Sequence, residues 1–145
     1  MINNRRVEMF RKTVVGGTFD KQHEGHKAVL RTAFENSESV VIGLTSDEFA
    51  SRFKTQRVMG YEDRKRRLED YIKGFKRPYE IIKINDMYGI ATIDPGLDSI
   101  VVSEETLLRA EEINTIRFKK NLPRLTIIVV PLVLDASGRP LSSSK

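Results

Sequence analysis

The feature that most constrains this chain is a hydrophobic period that keeps changing. Short apolar segments rich in β-branched residues alternate with stretches in which apolar residues recur every three or four positions. Thr13–Val15 is strand-like and halts at Gly16-Gly17; Ala28, Val29, Ala33 and Phe34 then follow at helical spacing. Val40–Leu44 reads as a second strand, and Thr45-Ser46-Asp47-Glu48 as a helix start with acids in its first turn. Tyr61–Phe75 carries Leu68, Ile72 and Phe75 on one helical face and closes near Gly74. Tyr79–Ile84 alternates apolar and polar residues as a third strand. Asn85–Gly96 is loop-like, with room for one helical turn. Ser99–Val102 is a fourth strand, and Ser103 stands where it can cap a helix over Glu104–Lys120. Leu125–Val130 is the fifth, stopped by Pro131.

A β-α-β-α order of this kind predicts an α/β fold: a doubly wound parallel five-stranded sheet, helices on both faces, one domain over residues 1–145. In such sheets ligands bind beyond the carboxyl ends of the strands, where the strand order reverses. The loops after Val15, Leu44, Ile84 and Val102 are therefore the places to search.

Composition narrows the partners. A net charge of +5 favours anions without choosing among them. The densest basic cluster, Arg64–Arg67, is interleaved with Glu62, Asp63, Glu69 and Asp70 and reads as a solvated helix face. Tryptophan is absent and aromatic residues make up 8%, a poor stock for stacking bases, so no nucleic-acid partner is expected. The longest apolar run, Ile127–Leu134, falls far short of the ~20 residues that cross a bilayer, so no membrane partner is expected. Met1–Arg11 has no apolar core behind its basic residues, unlike a secretory signal. The absence of cysteine excludes disulfides, thiolate metal sites and cysteine nucleophiles, and suits a cytoplasmic setting.

The chemistry concentrates in Gly16-Gly17-Thr18-Phe19-Asp20-Lys21-Gln22-His23-Glu24-Gly25-His26, between the first strand and the first helix. Gly16 and Gly17 allow close backbone approach. A helix starting near His23 aims free amides and its positive end at an anion. The chain's two histidines lie three residues apart, on one side of a helical turn. Three plainer readings stand beside this one: a turn made by the glycines, structural histidines, and a metal site built from Asp20, His23 and His26. Against them stands concurrence, since glycines, a hydroxyl, an acid and both histidines meet where an α/β sheet places its phosphate loop.

Gly16-Gly17-Thr18-Phe19-Asp20 followed by His23-x-Gly25-His26 resembles the signature of the HxGH nucleotidylyl transferase superfamily. Gly43-Leu44-Thr45-Ser46-Asp47-Glu48, Val101-Val102-Ser103-Glu104-Glu105-Thr106, Asn114-x-x-Arg117 and Leu141-Ser142-Ser143-Ser144 resemble further stretches of its archaeal-type phosphopantetheine adenylyltransferases. The resemblance implies a Rossmann-like fold and transfer of AMP from ATP to 4′-phosphopantetheine. The products would be dephospho-coenzyme A and pyrophosphate, by direct in-line attack on the α-phosphorus with Mg²⁺ screening the pyrophosphate. It implies catalytic roles for His26, Thr18 and Lys54, the last with Arg57 nearby. ATP would be bound by Gly16, Gly17, Phe19, His23, His26, Asn114, Arg117, Ser142, Ser143 and Ser144, and the acceptor by Thr18, Asp20 and Lys54. No protein metal ligand is implied. Two departures are visible. The serine motif stops at Lys145, short of the apolar residue and arginine that usually follow, which reads as a truncation within the motif. Lys21, Gln22 and Glu24 stand where relatives often have apolar residues, so Glu24 is expected to face solvent.

Overall fold

Consecutive β-branched residues with both neighbours apolar make strands that are buried on two faces, and parallel sheets are built from such strands. In the computed structural model the described residues are 9–20, 24–52 and 58–131, with the main chain alone described at 24 and 25. They form β1 (Phe10–Gly17), α1 (Glu24–Glu35), β2 (Ser37–Thr45), α2 (Asp47–Arg52), α3 (Tyr61–Ile72), β3 (Tyr79–Ile84), β4 (Ser99–Ser103), α4 (Leu107–Lys119) and β5 (Thr126–Val130). The sheet is parallel throughout, in the order β3-β2-β1-β4-β5. The order reverses at β1, so the crevice that this topology opens for ligands lies beyond Gly16–Gly17.

Period two divides the core between the faces. Val15, Val40, Ile42 and Val101 pack with Leu30, Phe34, Leu68 and Ile72 of α1 and α3. Their strand neighbours Val14, Val41, Ile100 and Val102 pack with Ala110 and Ile113 of α4 and with Leu125. Each such side chain, once fully buried, contributes about 1.5–3 kcal/mol before conformational entropy is counted. The sheet is also stitched by hydroxyls: Thr13 of β1 hydrogen-bonds both Ser37 of β2 and Ser99 of β4.

Several local expectations hold and two need amendment. Ser46 accepts a hydrogen bond from the Phe49 amide at 3.1 Å, which starts α2. Ser103 and Thr106 form a capping box after β4. The helix expected from Glu104 begins as a 3-10 turn, Glu104–Thr106, before becoming α4. The second amendment concerns Arg64–Arg67. Arg66 and Arg67 are exposed, but Arg64 is 0% exposed. Tyr61, Arg64, Leu68 and Ile72 share the buried face of α3 at helical spacing, so the charge of Arg64 enters the protein while its neighbours stay in water.

Candidate active site

The crevice begins with two glycines of different purpose. β1 and β2 run side by side to their ends, pairing Gly16 with Gly43 and Gly17 with Leu44. A methyl group on Gly16 would lie 3.8 Å from the Met87 Cε and the Gly43 carbonyl oxygen, an ordinary contact. Gly16 therefore leaves room rather than relieving a clash. At Gly17 a methyl group would stand 3.0 Å from the Phe19 ring, too close for comfort. Phe19 has φ of 49°, a left-handed conformation unusual for a side-chain-bearing residue. That turn tucks its ring into the core, 3% exposed, edge-on to His26 with centroids 5.4 Å apart. The bare Gly17 thus admits Phe19, and Phe19 props the imidazole of His26 in the first turn of α1.

Thr18, half-buried between them, is held from behind. The Thr45 hydroxyl, at the end of β2, donates to the Thr18 Oγ1 at 3.0 Å. Arg64 donates through Nη1 to the Thr18 carbonyl at 3.0 Å and to the Thr45 Oγ1 at 3.3 Å. Its Nε donates to the Met59 carbonyl at 2.8 Å, and its Nη2 meets Asp47 Oδ1 at 3.0 Å. Asp20, 8% exposed, accepts from the Met59 amide at 2.8 Å. The loop after β1 is therefore fastened to the ends of β2 and to the chain entering α3.

The loop after β3 supplies the other wall. Asp86 Oδ1 accepts from the amides of Tyr88 at 2.8 Å and Gly89 at 2.6 Å, closing a tight turn. Met87 comes to lie over Gly16. Beneath it is a cavity of ≈ 40 Å³ lined by Gly16, Gly43, Ile84, Met87, Ile90 and Ile113 among others. The Tyr88 hydroxyl donates to Glu112 of α4 at 2.8 Å, and the carboxylate that takes this proton pushes the phenol above its ordinary value.

Gly16, Gly17, Thr18, Phe19, Asp20 and His26 are thus brought together as expected, though the Phe19 ring and the Asp20 carboxylate face inward to hold the loop. Lys21, Gln22, His23, Lys54, Arg57 and Ser142–Ser144 lie outside the described residues, as does the side chain of Glu24. Asn114 and Arg117 are both buried and engaged by the main chain. Asn114 exchanges hydrogen bonds with the main chain of Leu125, at 3.0 and 2.8 Å. Arg117, 0% exposed, donates to the carbonyls of Pro123 at 2.7 Å and of Ala91 and Asp94 at 2.9 Å. Burial lowers its pKa and the Asp94 charge opposes that shift. Leu125 and Pro123 lead into β5, Asp94 lies in the loop before β4, and Ala91 lines the cavity beside Gly16. Asn114 and Arg117 thus brace the scaffold through main-chain partners.

Thr45, within the Gly43–Glu48 stretch, and Arg64 and Met87, outside every quoted motif, join the crevice although the resemblance gave them no role. The period of α3 was the available signal for Arg64, since it lies four residues before Leu68 on the same face.

A family model described as Cytidylyltransferase-like matches residues 14–145. The chain is 44% identical over 138 residues to a phosphopantetheine adenylyltransferase of Methanopyrus kandleri, covering 94% of this chain and 88% of that one. It is 45% identical over 140 residues to one of Pyrococcus abyssi, covering 93% and 87%. Among solved structures, a protein of unknown function from Archaeoglobus fulgidus superposes with a TM-score of 0.74 at 33% identity, covering 82% of this chain and 88% of the other. The chain belongs to the cytidylyltransferase-like family, among its phosphopantetheine adenylyltransferases.

Proposed function

We propose that the chain transfers the adenylyl group of ATP to 4′-phosphopantetheine, giving dephospho-coenzyme A and pyrophosphate. The observation that carries this reading is the Gly16–His26 loop at the end of the central strand, in a chain that resembles enzymes of that name over nearly its whole length. A phosphate oxygen of the acceptor attacks the α-phosphorus; a new P–O bond forms as the bond to pyrophosphate breaks. Catalysis of such a step is mostly positioning and stabilisation of developing charge. His26, propped by Phe19, donates to the α-phosphate oxygens. Thr18 holds the acceptor phosphate. His23, Lys54 and Ser142–Ser144 complete the phosphate contacts in this reading, with Lys54 on the acceptor and the serines on the triphosphate.

Magnesium finds no group of three acidic or histidine side chains among the described residues. In this reading magnesium would screen the charge of the departing pyrophosphate. The narrow, largely apolar cavity beside Gly16 suits an extended arm carrying its phosphate toward Thr18. At ≈ 40 Å³ it is too small for that arm as it stands, so Met87 and its loop must move to admit it. No helix among the described residues is long and apolar enough to cross a membrane, and the lack of cysteine supports a cytoplasmic setting.

The test is pyrophosphate release from ATP and from CTP with a panel of acceptors: 4′-phosphopantetheine, flavin mononucleotide, nicotinamide mononucleotide and glycerol phosphate. Release with ATP and 4′-phosphopantetheine alone is the expected result. Turnover with CTP or with another acceptor instead would replace this reading by that of a sibling enzyme.

A further inference from the structure

The mechanism above leaves unused the most deeply buried charge near the site. We infer that Arg64 and Thr45 are positioning residues that set the direction of the Thr18 hydroxyl, so that its proton faces the acceptor phosphate. The inference rests on the reading of Thr18 as the acceptor-phosphate contact.

Hydrogen-bond polarity fixes the arrangement. A guanidinium carries five N–H donors and no acceptor, so each of its contacts has a fixed direction. Arg64 Nη1 gives one proton to the Thr18 carbonyl and one to the Thr45 Oγ1. The Thr45 hydroxyl, 1% exposed, has a single proton, and it goes to the Thr18 Oγ1 at 3.0 Å. On its inner side Thr18 therefore accepts, and its own proton is left for the outer side, beside the bare backbone of Gly16 and Gly17. An ionised phosphate accepts hydrogen bonds and cannot donate them. A hydroxyl that arrives with its proton outward meets such an oxygen favourably; one with a lone pair outward repels it.

The surroundings strengthen the relay. Arg64 is wholly enclosed, where hydrogen bonds in series polarise one another. Its one carboxylate partner among the described residues, Asp47, has a side chain that is 63% exposed, so water weakens the carboxylate more than the guanidinium. Arg64 also grips Thr18 twice, directly at the carbonyl and through Thr45 at the hydroxyl. That double hold fixes both the place and the polarity of a group that must be ready before substrate arrives.

A double-mutant cycle on turnover tests this. Thr45→Val keeps the shape of the side chain and removes the relay; Thr45→Ser keeps the relay. With Thr18 intact, Thr45→Val is expected to lower kcat about tenfold, a fraction of what losing a direct contact to developing charge costs. The KM for ATP should hold and Thr45→Ser should recover most of the loss. In a Thr18→Val background the same change should alter kcat by less than about twofold, because the two residues act as one unit. Arg64→Lys, which keeps the charge and loses the fork, should fall between; if it fails to fold, the threonine pair still decides. No loss in Thr45→Val, or equal losses in both backgrounds, would overturn the inference and leave Thr45 serving the fold alone. No pyrophosphate release by the unaltered chain with ATP and 4′-phosphopantetheine would overturn the reading of function, and this inference with it.

Discussion

Tyr88 donates its hydroxyl proton to Glu112 at 2.8 Å, a bond that ties the tip of the loop over the Gly16 crevice to helix α4. Arg117 holds the same loop further along through the Ala91 and Asp94 carbonyls. Tyr88 and Glu112 both reach water, so their bond contributes little to global stability. Its leverage is on the loop, whose Met87 must leave the cavity when the acceptor arm enters. Tyr88→Phe is expected to change the Tm by less than about 2 °C while changing the acceptor KM several-fold. Steady-state kinetics with ATP saturating would show it, and an unchanged acceptor KM would mean that the loop does not gate entry.

His26 is expected to act chiefly on the transition state. His26→Ala should lower kcat by about 10²–10³-fold, with ATP affinity altered only a few-fold. Calorimetric binding of ATP beside single-turnover rates makes the comparison. Equal losses in both would reduce His26 to a binding residue.

The glycines at the strand ends should respond differently to one added methyl group. In Gly43→Ala the new carbon would meet Ile84 Cδ1 at 3.0 Å and Cγ2 at 3.2 Å, with Ile84 itself 9% exposed. A loss of about 1–2 kcal/mol is expected in urea denaturation. Gly16→Ala meets only contacts at 3.8 Å and should fold within about 0.5 kcal/mol of the parent. Its cost should fall on the acceptor KM, because the methyl group enters the cavity.

Lys12 and Asp94 predict a pH dependence. The Lys12 ammonium, 2.7 Å away, holds the Asp94 carboxyl below its ordinary value, against the upward pull of partial burial, and the Gly96 amide adds to the lowering. A depressed carboxylate stabilises the fold above its unfolded pKa of about 3.9. That stability fades as pH falls through the lower folded value. The pair is only partly enclosed, so the gain is modest. Lys12→Gln should lower Tm by about 2 °C at pH 7, and the difference between the two proteins should shrink as the pH falls and Asp94 takes up its proton.

Removing Arg64 outright should be costly in a different way. Arg64→Met roughly fills the space but leaves the Thr18 and Met59 carbonyls without their donor. A loss of about 2–3 kcal/mol is expected in chemical denaturation, the sum of two partly buried acceptors left without a donor. A loss below 1 kcal/mol would show that water reaches those carbonyls.

Much of this was legible in advance because the strands are short, β-branched and bounded by glycine, proline or capping residues. Tyr79–Ile84 was delimited as it is observed, and Ser46 and Ser103 cap as their positions suggest. Gly16–Asp20 and His26 converge because one strand end and one helix start carry them all. What failed to show was the direction in which a charged side chain points. Arg64 and Arg117 both sit on helices among other charges, and composition treats every arginine there as solvated. Both are buried because main-chain carbonyls several to many residues away need donors, and no local pattern records that need. Nor does the spacing of Asn114 and Arg117 record that both side chains are engaged by main-chain groups of other segments.

The central place of β1 has a consequence for the chain as it is made. Thr13 must find Ser37 on one side and, 86 residues later in sequence, Ser99 on the other. At ordinary rates of synthesis that second partner follows after roughly 4–17 s. During that interval β1 offers the ribosome's surroundings an open edge lined by Val14 and Val15, with unpaired amides and carbonyls, even after β2 and β3 have been made. Neighbouring nascent copies on one messenger carry the same edge. Substitutions that weaken β4 should therefore reduce the soluble yield during synthesis by more than the measured stability of the finished protein would foretell.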